Sequence, residues 1–159
     1  MADTPNFDIQ QAHKYFSADC FNKTWDNMDK DGDRSNEENM EMLHTAIASL
    51  WHWTQREDVT SKHLSIGYWQ VSRVYCLLKQ PHNARRYGLL SLRYAKDLSP
   101  FLKGYAYETL AHAEMIAKNR VIMKVYLENA REMLAQIEDE EDRQALAKDL
   151  ESIQQKETP

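Results

Sequence analysis

Glycine and proline are scarce, four of each in 159 residues, too few for the turns of a multi-stranded sandwich or barrel. No run of about 18 apolar residues occurs, so no membrane span is expected. Cationic excess is missing as well: 20 Lys and Arg stand against 25 Asp and Glu, a net charge of −5. That balance argues against a nucleic-acid backbone as ligand, which needs a basic face. Cysteine is nearly absent. Cys20 and Cys76 sit in apolar helical patterns without metal-ligand spacing and read as reduced core thiols, as in the cytoplasm. Met1 to Ile9 lacks a basic segment followed by an apolar one, so no secretory signal is expected and the localisation read from the chain is cytoplasmic. There is no Gly-x-Ser-x-Gly elbow, no glycine-rich phosphate loop and no cysteine in an activating context, so no catalytic residue and no cofactor is indicated.

What is present is helical. Hydrophobic residues make up 42% and charged residues 28%, enough for a core. The breakers cut the chain into seven periodic stretches. The first runs from about Asp8 to Asp29 and carries Ile9, Ala12, Phe16, Cys20, Phe21, Trp25 and Met28 at steps of three and four. Ser35 and Glu38 form a capping box that opens a second helix near Asn36, lasting to about Arg56. A third spans Thr60 to Lys79, and Pro81 opens a fourth that reaches about Leu98. Ser99-Pro100, an N-cap followed by proline at the first helical position, starts a fifth helix ending near Lys118. Asn119 caps a sixth that reaches Ile137. A last helix follows the acidic stretch Glu138 to Asp142, whose charge suits a helical first turn, and carries Leu146, Leu150 and Ile153 on one stripe. Short connections between such helices mean antiparallel neighbours. The expectation is one all-α domain over 1–159, with six to seven antiparallel helices and no sheet. Residues 1–7 are expected as a flexible terminus and 138–159 as a C-terminal capping helix and tail.

The third to sixth helices contain a repeat. Tyr68, Val71, Ser72 and Tyr75 are followed by Ala84. A second copy reads Tyr107, Leu110 and Ala111, then Met123, Leu127 and Ala130. Small residues at Ser72, Ala84 and Ala111 let paired helices approach, while large ones at Tyr68, Tyr75 and Tyr107 fill the space between pairs. In type and spacing this resembles the tetratricopeptide-repeat superfamily, over about residues 60–137. The departures are Gly88 in place of an aromatic, Glu114 in place of Tyr, and Met123 in place of Ala. The copies also lie 39 residues apart instead of the regular 34, which lengthens the segment from Arg93 to Ser99. Ala46, Leu50 and Trp53 give the first two helices the look of a third, degenerate hairpin.

The resemblance implies a right-handed superhelix of stacked hairpins whose first helices line a concave groove, and a non-catalytic module that binds a peptide or partner protein there. Carried onto this chain, the groove residues are Trp69, Arg73, Tyr105, Glu108 and His112, with Ile66, Cys76 and Met115 beside them. Trp69 and Glu108 stand where chaperone-binding members place a carboxylate clamp of Lys and Asn, so no such clamp is expected, and Glu108 is placed to neutralise Arg73. Association with a second copy of the chain stays open.

Two other classes compete. Asn27-x-Asp29-x-Asp31-Gly32-x5-Glu38 fits the spacing of an EF-hand calcium loop between two helices. Against it, the first ligand is Asn, Arg34 occupies a position normally hydrophobic, no second loop exists, and Glu38 already serves the capping box. A plain helix–helix turn is the simpler reading. The second alternative is a metal-dependent helical-bundle enzyme. It needs three of His13, His44, His52 and His112 to converge. There is no His-x3-His pair and no paired Glu-x2-His signature on two helices. In Trp51-His52-Trp53, three bulky neighbours cannot all face inward; the expected arrangement has Trp53 packed and His52 solvated.

Overall fold

The computed structural model of the chain describes residues 6–30 and 32–156. Among these there are seven α-helices and no strand: α1 (Ile9–Met28), α2 (Asn36–Thr54), α3 (Ser61–Leu77), α4 (Pro81–Ala95), α5 (Pro100–Ile116), α6 (Arg120–Leu134) and α7 (Glu140–Gln155). No helix is long and apolar enough to cross a membrane. The expected flexible terminus lies mostly outside the described residues.

Capping chemistry sets most of the helix starts. Ser35 accepts from the Glu38 amide at 3.2 Å while the Glu38 carboxylate accepts from the Ser35 amide at 2.8 Å, so two orphan amides are satisfied reciprocally. Ser99 caps α5, with Pro100 at its first position. Thr60 caps α3 in the same reciprocal way, but with the His63 ring in place of the usual Glu or Gln. The ends are less conventional. Lys79 and Lys118 adopt left-handed φ of 58° and 59°. Gln80 then donates back to the Tyr75 carbonyl, and Asn119 to that of Glu114, each at 2.9 Å. This satisfies the last carbonyls of α3 and α5 in the manner usually supplied by glycine. The two lysines are 39 residues apart, the same interval as Tyr68 and Tyr107, so the repeat seen in side-chain pattern recurs in backbone conformation. The length beyond a 34-residue repeat is largely helical: α3 has 17 residues and α4 has 15, and Arg93 to Ala95 belong to α4.

Consecutive helices pack as antiparallel hairpins, α1 with α2, α3 with α4 and α5 with α6. Each odd-numbered helix from α3 onward also packs on the even-numbered helix before it, α3 packs on α5, and α5 on α7. Core density follows this order. Met42, Ala46, Leu50, Val71 and Val74 join the first two hairpins. Ala111, Met123, Leu127, Leu146 and Leu150 join the last hairpin to α7. Small residues sit where helices approach most closely. The Ser72 hydroxyl bonds the Ala84 carbonyl at 2.7 Å and Thr109 at 2.8 Å, and Ser65 and Ser91 each donate to the other's carbonyl.

Two departures from the repeat pattern acquire reasons here. Glu114 is almost fully buried and receives both arms of the Arg85 guanidinium from α4, so an ion pair replaces the aromatic expected there. At Gly88, an added Cβ would lie 2.9 Å from Leu110 Cδ2 and 3.2 Å from Ser72 Oγ. Gly88→Ala gains about 1 kcal/mol of helix propensity but overpacks a closed contact, at a cost of about 1–3 kcal/mol. The expected net result is a small loss of stability, read as a lower urea midpoint. An equal or higher midpoint would show that Leu110 has room to move.

Candidate functional site

The odd-numbered helices α1, α3, α5 and α7 contribute side chains to one cleft. Its volume is about 410 Å³, and its walls include Trp25, Ile66, Trp69, Phe101, Leu102 and Tyr105. Trp69 is the centre of the aromatic wall. Its ring lies 5.7 Å from that of Trp25 and 5.6 Å from that of Tyr105, and Tyr105 in turn lies 5.0 Å from Phe101. The edge-on geometry of Trp69 with Tyr105 and of Tyr105 with Phe101 is one that aromatic quadrupoles favour. It joins three of the rings, and Trp25 meets Trp69 in a tilted arrangement across the same opening. A volume of this size, apolar walls and a few converging polar groups are the ordinary composition of a ligand site.

The polar groups form one connected set. Arg73 pairs with Glu108 and has Asp149 of α7 at 3.9 Å. The Trp69 indole donates to Glu108 at 3.4 Å, and the Tyr105 hydroxyl to Asp149 at 3.1 Å. Glu108 has no exposed surface, and burial pushes its carboxyl above the ordinary range even though Arg73 works in the opposite direction. The Glu108 charge holds the Arg73 guanidinium more firmly protonated. Burial, with Asp149 beside it, also raises the Tyr105 phenol, so this hydroxyl stays a donor.

Of the five residues assigned from sequence, Trp69, Arg73 and Tyr105 line the cleft. Glu108 and His112 lie on the same side of α5 but deeper. Glu108 is buried beneath Arg73 and Trp69. His112 is 7% exposed and its Nδ1 has no hydrogen-bond partner; burial, then the Arg73 charge, lowers its pKa to about 3. Ile66 belongs to the cleft, whereas Met115 lines a separate depression beside Lys118 and Lys156. Cys76 is fully buried, its thiol pushed up to about 12 by desolvation, which makes it a poor nucleophile. Trp25, Phe101, Leu102 and Asp149 also line the cleft, outside the positions that the repeat register marks as groove residues. Trp25 was visible as part of the α1 stripe, but nothing local showed that it would meet Trp69.

The competing sites are placed as follows. His13 and His52 meet, Nδ1 to Nδ1 at 2.8 Å, inside an aromatic cluster with Phe16 and Trp51. His52 is thus half-buried rather than solvated, while Trp51 takes the exposed position and Trp53 stacks on His63 at 4.2 Å. Glu41 and His44 do stand at Glu-x2-His spacing, but both are exposed on α2. Among the described residues, no group of three His, Cys, Asp or Glu converges in a way that would hold a metal. In the 27–38 loop, Asp31 lies outside the described residues; Glu38 serves the α2 cap and pairs with Lys30, and Gly32 takes a φ of 83°.

No protein-family model, no curated protein and no solved structure matches this chain. The functional reading therefore rests on the cleft itself.

Proposed function

We propose that the chain is a non-catalytic, tetratricopeptide-like hairpin stack that binds a peptide segment of a partner protein in the cleft between α1, α3, α5 and α7. The observation that carries this reading is the run of four aromatic rings, Trp25, Trp69, Tyr105 and Phe101, around an opening of about 410 Å³. The rings are held from three different helices and stay accessible although each is partly packed. The 39-residue recurrence of both the aromatic pattern and the left-handed lysines supports a repeat architecture, and with it a concave face formed by the odd-numbered helices. The chemistry at the cleft also supports a binding role. Arg73 is held by Glu108 and Asp149, the Tyr105 phenol is held protonated, and the buried Cys76 thiol is inert.

Trp69→Ala removes the ring that touches both Trp25 and Tyr105. Affinity for a peptide selected on the wild-type protein is expected to fall by about 2 kcal/mol or more, as for a buried aromatic anchor, with the far-UV circular dichroism unchanged. Undiminished binding would move the site to another face. An equal loss of fold stability would identify Trp69 as core.

A further inference from the structure

We infer that the cleft selects a basic segment, taking a Lys or Arg side chain of the bound peptide against its aromatic wall. This rests on the peptide-binding reading and adds to it the chemistry of the occupant.

The inference comes from charge balance. An arginine on a binding face would ordinarily invite a carboxylate. Arg73 does not, because it is already held between Glu108 and Asp149. Asp29 stands on the rim as the C-cap of α1, where the negative end of the helix dipole adds to its charge. The lining thus sets three carboxylates, counting Glu108 beneath it, against one cation. Aromatic faces attract cations through their quadrupole, tryptophan most strongly, and Trp25 and Trp69 line the same cleft as Asp149. An incoming carboxylate would meet Asp149 and Asp29 with no free donor of opposite charge. An incoming guanidinium or ammonium would meet ring faces and the half-buried Asp149 together.

The occupant is a peptide rather than a free amine because the opening does not end at the rings. A second depression, about 630 Å³, lies beside it and shares Ile66, Phe101 and Leu102 as a common saddle. Its remaining lining includes Glu138, Asp139 and Asp142 against Lys62. Asp139 is spent on capping α7, yet the acid excess continues along the path that flanking residues of a bound segment would follow.

The test uses three pools of fluorescein-labelled, acetylated nonapeptides, degenerate except for a central Arg, Gln or Glu, titrated by fluorescence anisotropy. The Arg pool is expected to bind roughly tenfold tighter than the Gln pool, the scale of one charge-assisted contact, with the Glu pool weakest and the preference shrinking as salt is raised. Asp149→Asn is expected to bring the ratio of Arg-pool to Gln-pool affinity close to one, whatever its effect on both pools together, whereas a ratio as large as in the parent protein would overturn the inference. Equal or tighter binding of the Gln or Glu pool would overturn the inference and leave peptide binding standing. Absence of binding by all three pools would overturn both. Competition by N-acetyl-arginine methylamide as strong as by the Arg pool itself would also overturn it, in favour of a small-amine site.

Discussion

Arg73→Met is expected to destabilise the fold by about 3 kcal/mol at neutral pH, the scale of stranding a buried charge. Glu108 is the reason. It has no exposed surface, and among the described residues its other hydrogen-bond partner is the Trp69 indole at 3.4 Å. The loss should depend on pH in a definite direction. Burial already raises the Glu108 carboxyl above the ordinary carboxylate range, and deleting Arg73 raises it further. An acid with a raised folded pKa binds its proton more tightly in the folded state, so its penalty is absent at low pH and grows as pH rises through the folded pKa. The difference between Arg73→Met and the parent protein should therefore be smaller at pH 5 than at pH 7. Adding Glu108→Gln should restore most of the stability, because a neutral buried pair often costs no more than an ionic one. Urea denaturation of the two variants at both pH values checks this. A single variant within about 0.5 kcal/mol of the parent at neutral pH, inside the usual range of surface substitutions, would mean that Glu108 finds other donors.

His112 gives the second large effect, in the opposite direction of pH. Its ring is 7% exposed with an orphaned Nδ1. Arg73, Lys79 and Lys156 all disfavour its cationic form, and the result is a pKa of about 3 against the ordinary 6.5. A base with a depressed folded pKa takes its proton in the unfolded chain first, so stability is intact above pH 6.5 and is lost as pH falls from there towards 3. Between pH 6.5 and 4.5, this one group is expected to cost about 2.5 kcal/mol, at up to ~1.4 kcal/mol per pH unit. His112→Leu should flatten that branch of the stability curve. A residual slope is expected from His52 and His63, whose pKa values burial also lowers. If the substituted protein lost stability with acid as steeply as the parent, His112 would already be hydrated or partnered in solution.

Both effects concern residues whose side of the helix was legible in the sequence and whose depth was not. Trp69 and Arg73 are four apart, as are Glu108 and His112, and that spacing alone puts each pair on one face. Depth was set by a long-range event. Helix α7, expected as a capping element, packs along α5 and brings Asp149 to Tyr105, which covers α5 and completes the cleft. Trp25 reaches Trp69 from 44 positions away in the chain, and no local pattern encodes that meeting. Helix starts were readable because capping chemistry is local, as at Ser35–Glu38 and Ser99-Pro100. Several helices end before their apolar periodicity does: α6 stops at Leu134 rather than Ile137, and α4 at Ala95 rather than Leu98. The left-handed Lys79 and Lys118 closures were invisible because lysine carries no propensity for that conformation. They repeat with the period of the tyrosines, so structural recurrence adds to a pattern the side chains only partly display.

The four tryptophans allow the cleft to be tested by a single measurement. Trp25 and Trp69 line it, whereas Trp51 is exposed on α2 and Trp53 stacks on His63. In a ¹⁵N-labelled sample each indole gives its own signal, assignable by single Trp→Phe substitutions. Titration with the Arg-centred peptide pool is expected to shift or broaden the Trp25 and Trp69 indole signals together and leave those of Trp51 and Trp53 in place. Changes confined to Trp51 or Trp53, or none in any indole under saturating peptide, would contradict peptide binding in the cleft between α1, α3, α5 and α7.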